Sequence, residues 1–254
     1  MKPLIVCEDI FKSYGTGDEK RYVLDGVSVE INQGEFVAVM GPSGSGKSTL
    51  MFALSGMDEL DSGQVTVDGM ALSTLSDDEL ADMRRRKMGF IFQQPTLLKN
   101  LNILDNIILP SMRDHRQNGA QINEKARMLM EKTGIAGLAK RDITQASGGQ
   151  LQRVGICRAL MSDPKVIFGD EPTGALNSQS ANEILALLAE IHQSGTTIVL
   201  VTHDVKVAAK TERVLYLLDG KVAGEYVAGT DEERCDRSIS CEERLSAWLA
   251  DMKF

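Results

Sequence analysis

Three short stretches of the chain are apolar almost without interruption: Phe36–Met40, residues 166–168 and Thr197–Val201. Runs of that length, rich in Val and Ile and bounded by polar or Gly-rich residues, predict strands buried on both faces of a parallel sheet. Ligands collect at the carboxyl ends of such strands. Other stretches alternate. Gln64-Val65-Thr66-Val67-Asp68-Gly69 reads as a strand with one buried face. Residues 214–218, the pair Asp219-Gly220 and residues 221–227 read as a hairpin around an Asp-Gly turn. A parallel core with a flanking antiparallel layer follows.

Over residues 95–163 the period becomes helical. Ile122, Ala126, Leu129, Met130 and Thr133 fall on one helix face, and Leu151, Val154, Cys157 and Met161 on another that Pro164 closes. This predicts a helical insertion between the sheet strands. Near the end, Ser240 and Glu243 have capping-box spacing, and Leu245, Trp248, Leu249 and Met252 share a face. A helix docked on the body is expected there, because its polar face mixes Glu and Asp with Arg and Lys, unlike a membrane-surface helix. The predicted organisation is one domain over residues 1–229, with its helical part at about 95–163, and an extension over 230–254.

Composition narrows the functions. With 254 residues, 43% hydrophobic and 25% charged, the chain has the balance of a globular domain with a well-buried core. Its 28 Lys and Arg against 36 Asp and Glu, a net charge of −8, argue against nucleic acid as the main partner. No apolar run approaches the ~20 residues of a membrane span. Acidic residues follow the start too early for a signal peptide. The expectation is a cytoplasmic protein that reaches a membrane only through a partner. Cys7, Cys157, Cys235 and Cys241 lack zinc-site spacing. Cys235 and Cys241 are near enough to pair or to hold a metal, but free thiols suit the expected compartment better.

Residues 41–49, Gly-Pro-Ser-Gly-Ser-Gly-Lys-Ser-Thr, fit G-x-x-x-x-G-K-[ST]. The string follows a predicted strand and opens a predicted helix, as a phosphate-binding loop requires. Gly41, Ser43, Gly44 and Gly46 let backbone N–H groups turn around phosphate oxygens, with the helix N-terminus adding its positive end. Lys47 would reach the β- and γ-phosphates, and the Ser48 hydroxyl, next to Thr49, would ligate Mg²⁺. By composition such a string arises in about one chain in a hundred of this size, so context carries the reading. The apolar strand at 166–168 runs into Asp170 and Glu171. Asp170 suits a Mg²⁺ shell and Glu171 suits the general base or water-orienting group. Side chains alternate along a strand, so the two need not share a role. His203 ends the third apolar run, where it could hydrogen-bond a γ-phosphate.

A second anion site lies in Gln145-Ala146-Ser147-Gly148-Gly149-Gln150, a Ser-Gly-Gly turn opening a helix. With the phosphate loop and the Asp-Glu pair, this segment resembles the signature of ATP-binding-cassette ATPases. The resemblance spans residues 4–229, and implies a nucleotide-binding domain of α/β class with a parallel core, an antiparallel layer and a helical subdomain. It also implies specific roles. Tyr14 corresponds to the aromatic that stacks on adenine, and Gln93 to the glutamine linking the Mg²⁺ site to the helical subdomain. Gly174-Ala175-Leu176-Asn177 corresponds to the loop that crosses between subunits, and His203 to the switch histidine. Ser147, Gly148 and Gly149 of one cassette would close over the ATP of a second, so a dimer, most simply of two copies, is implied. Ala146 stands where the family has Leu, which reduces apolar anchoring. Asn177 stands where it has Asp, which keeps the size and loses the charge.

Residues 88–94 and 170–178, together with 76–86, resemble the branch containing lipoprotein-release, macrolide-efflux and bacitracin-type peptide-resistance transporters and the cell-division ATPase. That branch implies an integral-membrane permease partner, which would hold this chain on the inner face of the cell membrane. The Gly-Ala-Leu-Asn form at 174–177 resembles the antimicrobial-peptide resistance group most, and the reading is an ATP- and Mg²⁺-dependent motor for export or for peptide-resistance or lipoprotein-type mechanotransmission. The rivals are a cell-division-type regulator that moves no solute and a soluble cassette acting on DNA or ribosomes. A non-cassette kinase would explain Lys47 but not the turn at Ser147.

Overall fold

Residues 3–14, 21–32 and 62–67 form an antiparallel sheet of their own. The hairpin at 213–227, expected in that layer, joins the buried parallel strands instead, because its first strand pairs in parallel with Phe36–Met40. A computed structural model describes residues 2–113, 118–228 and 240–252. Its ten strands are β1 (Pro3–Tyr14), β2 (Arg21–Asn32), β3 (Phe36–Met40), β4 (Ser62–Val67), β5 (Met70–Ala71), β6 (Met88–Phe92), β7 (Val166–Asp170), β8 (Thr197–Val201), β9 (Arg213–Leu218) and β10 (Lys221–Val227). Eight α-helices are described: α1 (Lys47–Leu54), α2 (Asp77–Lys87), α3 (Ile103–Ile108), α4 (Gly119–Lys132), α5 (Gly148–Leu160), α6 (Ser178–Gln193), α7 (Val205–Ala208) and α8 (Cys241–Asp251). The chain divides into two compact units, Met1–Leu80 with Thr197–Phe254, and Ala81–Thr196.

In the first unit β1 pairs antiparallel with β2 and with β4, whose Val65 and Val67 point into the core. Separately, β3 lies between β8 and β9, parallel to both, and every residue of β3 and β8 is buried. The predicted hairpin is present. Lys221 pairs with Leu218, and Asp219 and Gly220 both take positive φ, 47° and 77°. A two-residue turn of that hand matches the twist of the strands it joins.

Helix α8 packs on this unit. Leu245 and Leu249 are buried in a cluster with Ala38, Met40, Ala208, Val214 and Tyr216. Trp248 stacks edge-on against Tyr216 at 6.2 Å and tilted against Tyr226 at 5.6 Å. The predicted capping box is there: Ser240 N donates to Glu243 Oε2 at 2.7 Å, and Ser240 Oγ accepts from Glu243 N at 3.2 Å. Ser240→Ala is expected to weaken the docking of α8 by about 1 kcal/mol. The single tryptophan reports it, as a red shift of Trp248 emission at a lower urea concentration than in the wild type.

In the second unit β6 and β7 pair in parallel, with Phe92 opposite Asp170. Its helices bury Ile103, Ile107, Ile122, Ala126, Met130, Val154, Cys157 and Met161 in one cluster. Both helical stripes read from the sequence therefore face inward. Within 95–163 the first α-helix begins only at Ile103, where Asn102 caps it by accepting from Asp105 N. Pro95, which lacks an N–H, stands in the non-helical residues that precede it. Cys7 and Cys157 are buried free thiols and Cys241 is an exposed one. Cys235 lies outside the described residues. Burial pushes the Cys7 thiol up to about 12 and the Cys157 thiol to about 11, so neither is a reactive thiolate at neutral pH.

Candidate functional site

Strand β3 delivers the Gly-rich loop to the carboxyl edge of the first unit's parallel strands. Pairing of Val39 with Val201 brings His203, two residues past the end of β8, to the same edge. Thr202 N donates to Val39 O at 3.1 Å and fixes this exit. The His203 side chain is exposed, and Asp204 caps α7 by accepting from Lys206 N at 2.8 Å.

The loop's glycines are demanded by geometry. Gly46 has φ of 100°, and a Cβ there would stand 2.5 Å from Val23 O. At Gly41 a Cβ would run into the carbonyl of Leu217. Lys47, 9% exposed, opens α1. Its Nζ donates to Gly41 O at 2.9 Å and to Pro42 O at 2.7 Å, so the loop's own carbonyls aim the ammonium along the cradle. Ser43 and Gly44 are exposed at the mouth, whereas Ser48 and Thr49 are half-buried in the first turn of α1. Tyr14, half-exposed at the end of β1, donates its hydroxyl to Asp58.

The second unit gathers the other predicted residues. Asp170 ends β7, and Glu171 leaves the strand with φ of 45°, a conformation that L-residues rarely adopt. Simple strand alternation therefore does not set the direction of Glu171; this backbone turn does. A Cβ at Gly174 would lie 2.8 Å from Gln93 Nε2 and 3.2 Å from Glu171 Oε2, so both side chains lean on the same glycine. Gln93 follows β6 as Glu171 follows β7, and the pairing of Phe92 with Asp170 brings the two strand exits together.

The Ser-Gly-Gly turn opens α5 as expected. Ser147 Oγ accepts from Gln150 N at 3.3 Å, and Ser147 N donates to Gln150 Oε1 at 2.9 Å. Beyond that box, the N–H groups of Gly148 and Gly149 have no carbonyl one turn earlier to bond, which makes this end receptive to an anion. The loop after Gly174 lies against it. Leu176 is 3.6 Å from a Cβ position at Gly148, and the Ser180 hydroxyl is 3.0 Å from one at Gly149. Ala146 is half-buried against the helical cluster. Asn177 caps α6 by accepting from Ser180 N at 2.8 Å, a bond that Asp would also make.

Gln93 and Asp170 of the second unit carry an amide and a carboxylate, and Ser48 of the first a hydroxyl, each an oxygen donor of the kind a hard cation such as Mg²⁺ takes. Among the described residues no group of three or more His, Cys, Asp and Glu could hold a metal unaided. Sequence reasoning gave no weight to Asp58, Lys12 or the shared contact at Gly174, since no local pattern marks partners 44 or 81 positions apart.

Known proteins resemble this chain in sequence and in fold. A family model described as ABC transporter matches residues 24–174. The chain is 45% identical over 226 residues to the macrolide export ATP-binding/permease protein MacB of Hyphomonas neptunium, covering 88% of this chain and 34% of the relative. It is 42% identical to MacB of Escherichia coli, covering 91% of this chain and 36% of the relative. The probable syringafactin export ATP-binding/permease protein SyfD of Pseudomonas syringae is also 42% identical, with 89% and 34% covered. The chain thus spans about a third of the length of these relatives. Among solved structures, the dimeric post-hydrolysis state of the ATP-binding cassette MJ0796 bound to ADP and Pi superposes with a TM-score of 0.83 at 39% identity, covering 89% of this chain and all of that one.

Proposed function

The chain belongs to the ABC transporter family, and from that premise we propose that it is the ATP-hydrolysing motor of a membrane export system. The observation that carries this reading is the convergence of Gln93 and Glu171 on Gly174, with the Ser-Gly-Gly turn against the loop that follows. A water-activating carboxylate is thereby joined mechanically to a second phosphate-binding helix end.

The loop amides around Gly41, Ser43, Gly44 and Gly46 hold the phosphates, with Lys47 on the β- and γ-oxygens and the adenine on Tyr14. Ser48, Gln93 and Asp170 would hold Mg²⁺, which neutralises phosphate charge when bound. Glu171 orients and deprotonates the attacking water, while His203 stabilises charge on the γ-phosphate. Ser147, Gly148 and Gly149 of a second cassette close over the same nucleotide. Loss of the γ-phosphate removes that bridge, and Gln93 passes the change to the helical part over 95–163. The ATPase domain covers 1–229 in this reading, and 230–254 is an appended segment.

No described helix is long and apolar enough to cross a membrane. In this reading a permease supplies the path, and the chain works at the inner face of the membrane. Leu98, Leu109 and Met112, 47%, 43% and 59% exposed and all downstream of Gln93, offer it an apolar footing. Export as the direction of transport rests on the names of the relatives.

Tagged Glu171→Gln protein, drawn from detergent-solubilised native membranes with ATP and Mg²⁺, tests the partner. A multi-span protein at fixed stoichiometry is expected. Co-purification of ribosomes or nucleic acid in its place would overturn the transport reading in favour of a soluble ATPase.

A further inference from the structure

Tyr14 is half-exposed at a strand end, where an aromatic side chain ordinarily samples several rotamers. Here it is held by two groups. Its hydroxyl donates to Asp58 Oδ2. Lys12, two residues earlier on β1, places Nζ 5.1 Å from the centroid of the Tyr14 ring. Lys12 Nζ is itself fixed by Asp58 Oδ1 at 2.7 Å and Glu59 O at 2.6 Å. Asp58 lies in the turn that follows α1, so its carboxylate ties the aromatic to the far end of the phosphate-loop helix.

We propose that Asp58 and Lys12 are positioning residues for nucleotide-base binding: they lock the Tyr14 ring, with the Lys12 ammonium over one face, so that the other face receives adenine. The proposal rests on Tyr14 being the adenine platform. It adds a prepaid ordering of that platform, which spares ATP the entropy of fixing an exposed ring. The ionisation states agree. Burial works against the charges of Lys12 and Asp58, yet their mutual contact outweighs it, raising the Lys12 pKa and lowering that of Asp58. The hydrogen bond to Asp58 raises the Tyr14 pKa and keeps the hydroxyl a donor.

Equilibrium binding of ATP and of inorganic tripolyphosphate, which has no base, separates this role from a merely structural one. Asp58→Ala is expected to weaken ATP binding about three- to tenfold, the scale of one charge-assisted hydrogen bond. Tripolyphosphate binding should shift less than about twofold. In the Tyr14→Phe background, Asp58→Ala should cost clearly less than it does alone, because only its hold on Lys12 remains. Should Asp58→Ala fail to fold, Asp58→Asn carries the test, with a two- to threefold loss confined to ATP, roughly the worth of the ion pair. Equal weakening of both ligands, or full additivity with Tyr14→Phe, overturns the proposal and leaves a structural tie of β1 to the turn after α1. Tyr14→Ala identifies the other failure: if ATP affinity is unchanged there, the adenine platform is itself wrong and the positioning role falls with it.

Discussion

Glu171→Gln protein is expected to bind ATP normally and to hydrolyse it at least ~100-fold more slowly, the scale of a lost general base. The amide has nearly the shape of the carboxylate, so the contact with Gly174 and the neighbourhood of Gln93 survive the change. What disappears is the capacity to take a proton from water. The conformation of Glu171, φ 45° before Pro172, argues that its direction is specified rather than incidental. Phosphate release under single-turnover conditions measures the effect. With the γ-phosphate retained, the variant should also elute as a dimer in ATP and as a monomer without it. Near-normal turnover would remove Glu171 from the role of base.

Lys47→Ala should weaken ATP affinity on the order of 10- to 100-fold, the equivalent of one or two charge-assisted hydrogen bonds. Lys47 is buried and its ammonium is already aligned by Gly41 O and Pro42 O, so little ordering cost remains when phosphate arrives. The loop itself should persist, because its course is set by Gly41 and Gly46 packing against Leu217 and Val23. The expected signature is a normal melting temperature without ligand and a much smaller rise on adding ATP. An affinity within about twofold of wild type would exclude Lys47 as the principal phosphate contact.

Local patterns had already determined a large part of this protein. The runs at 36–40, 166–168 and 197–201 are buried strands because they are short, rich in Val and Ile and apolar on both sides, which suits a sheet covered on both faces. The turn at Asp219-Gly220, the helix opened by Ser147 and the box at Ser240 follow from residues within four positions of one another. The phosphate loop was legible for the same reason: glycines, lysine and hydroxyl act as one contiguous unit. Tertiary structure decided the rest. Gln93 and Glu171 meet only because β6 and β7 pair in one register, and a shift of one residue would send the two exits apart. Tyr14 is fixed by a carboxylate 44 positions away, on a turn whose place depends on how α1 packs. The left-handed backbone at Glu171 is the clearest case. Local preference opposes it, and only the packed surroundings of Gly174 and Gln93 make it the conformation the chain adopts.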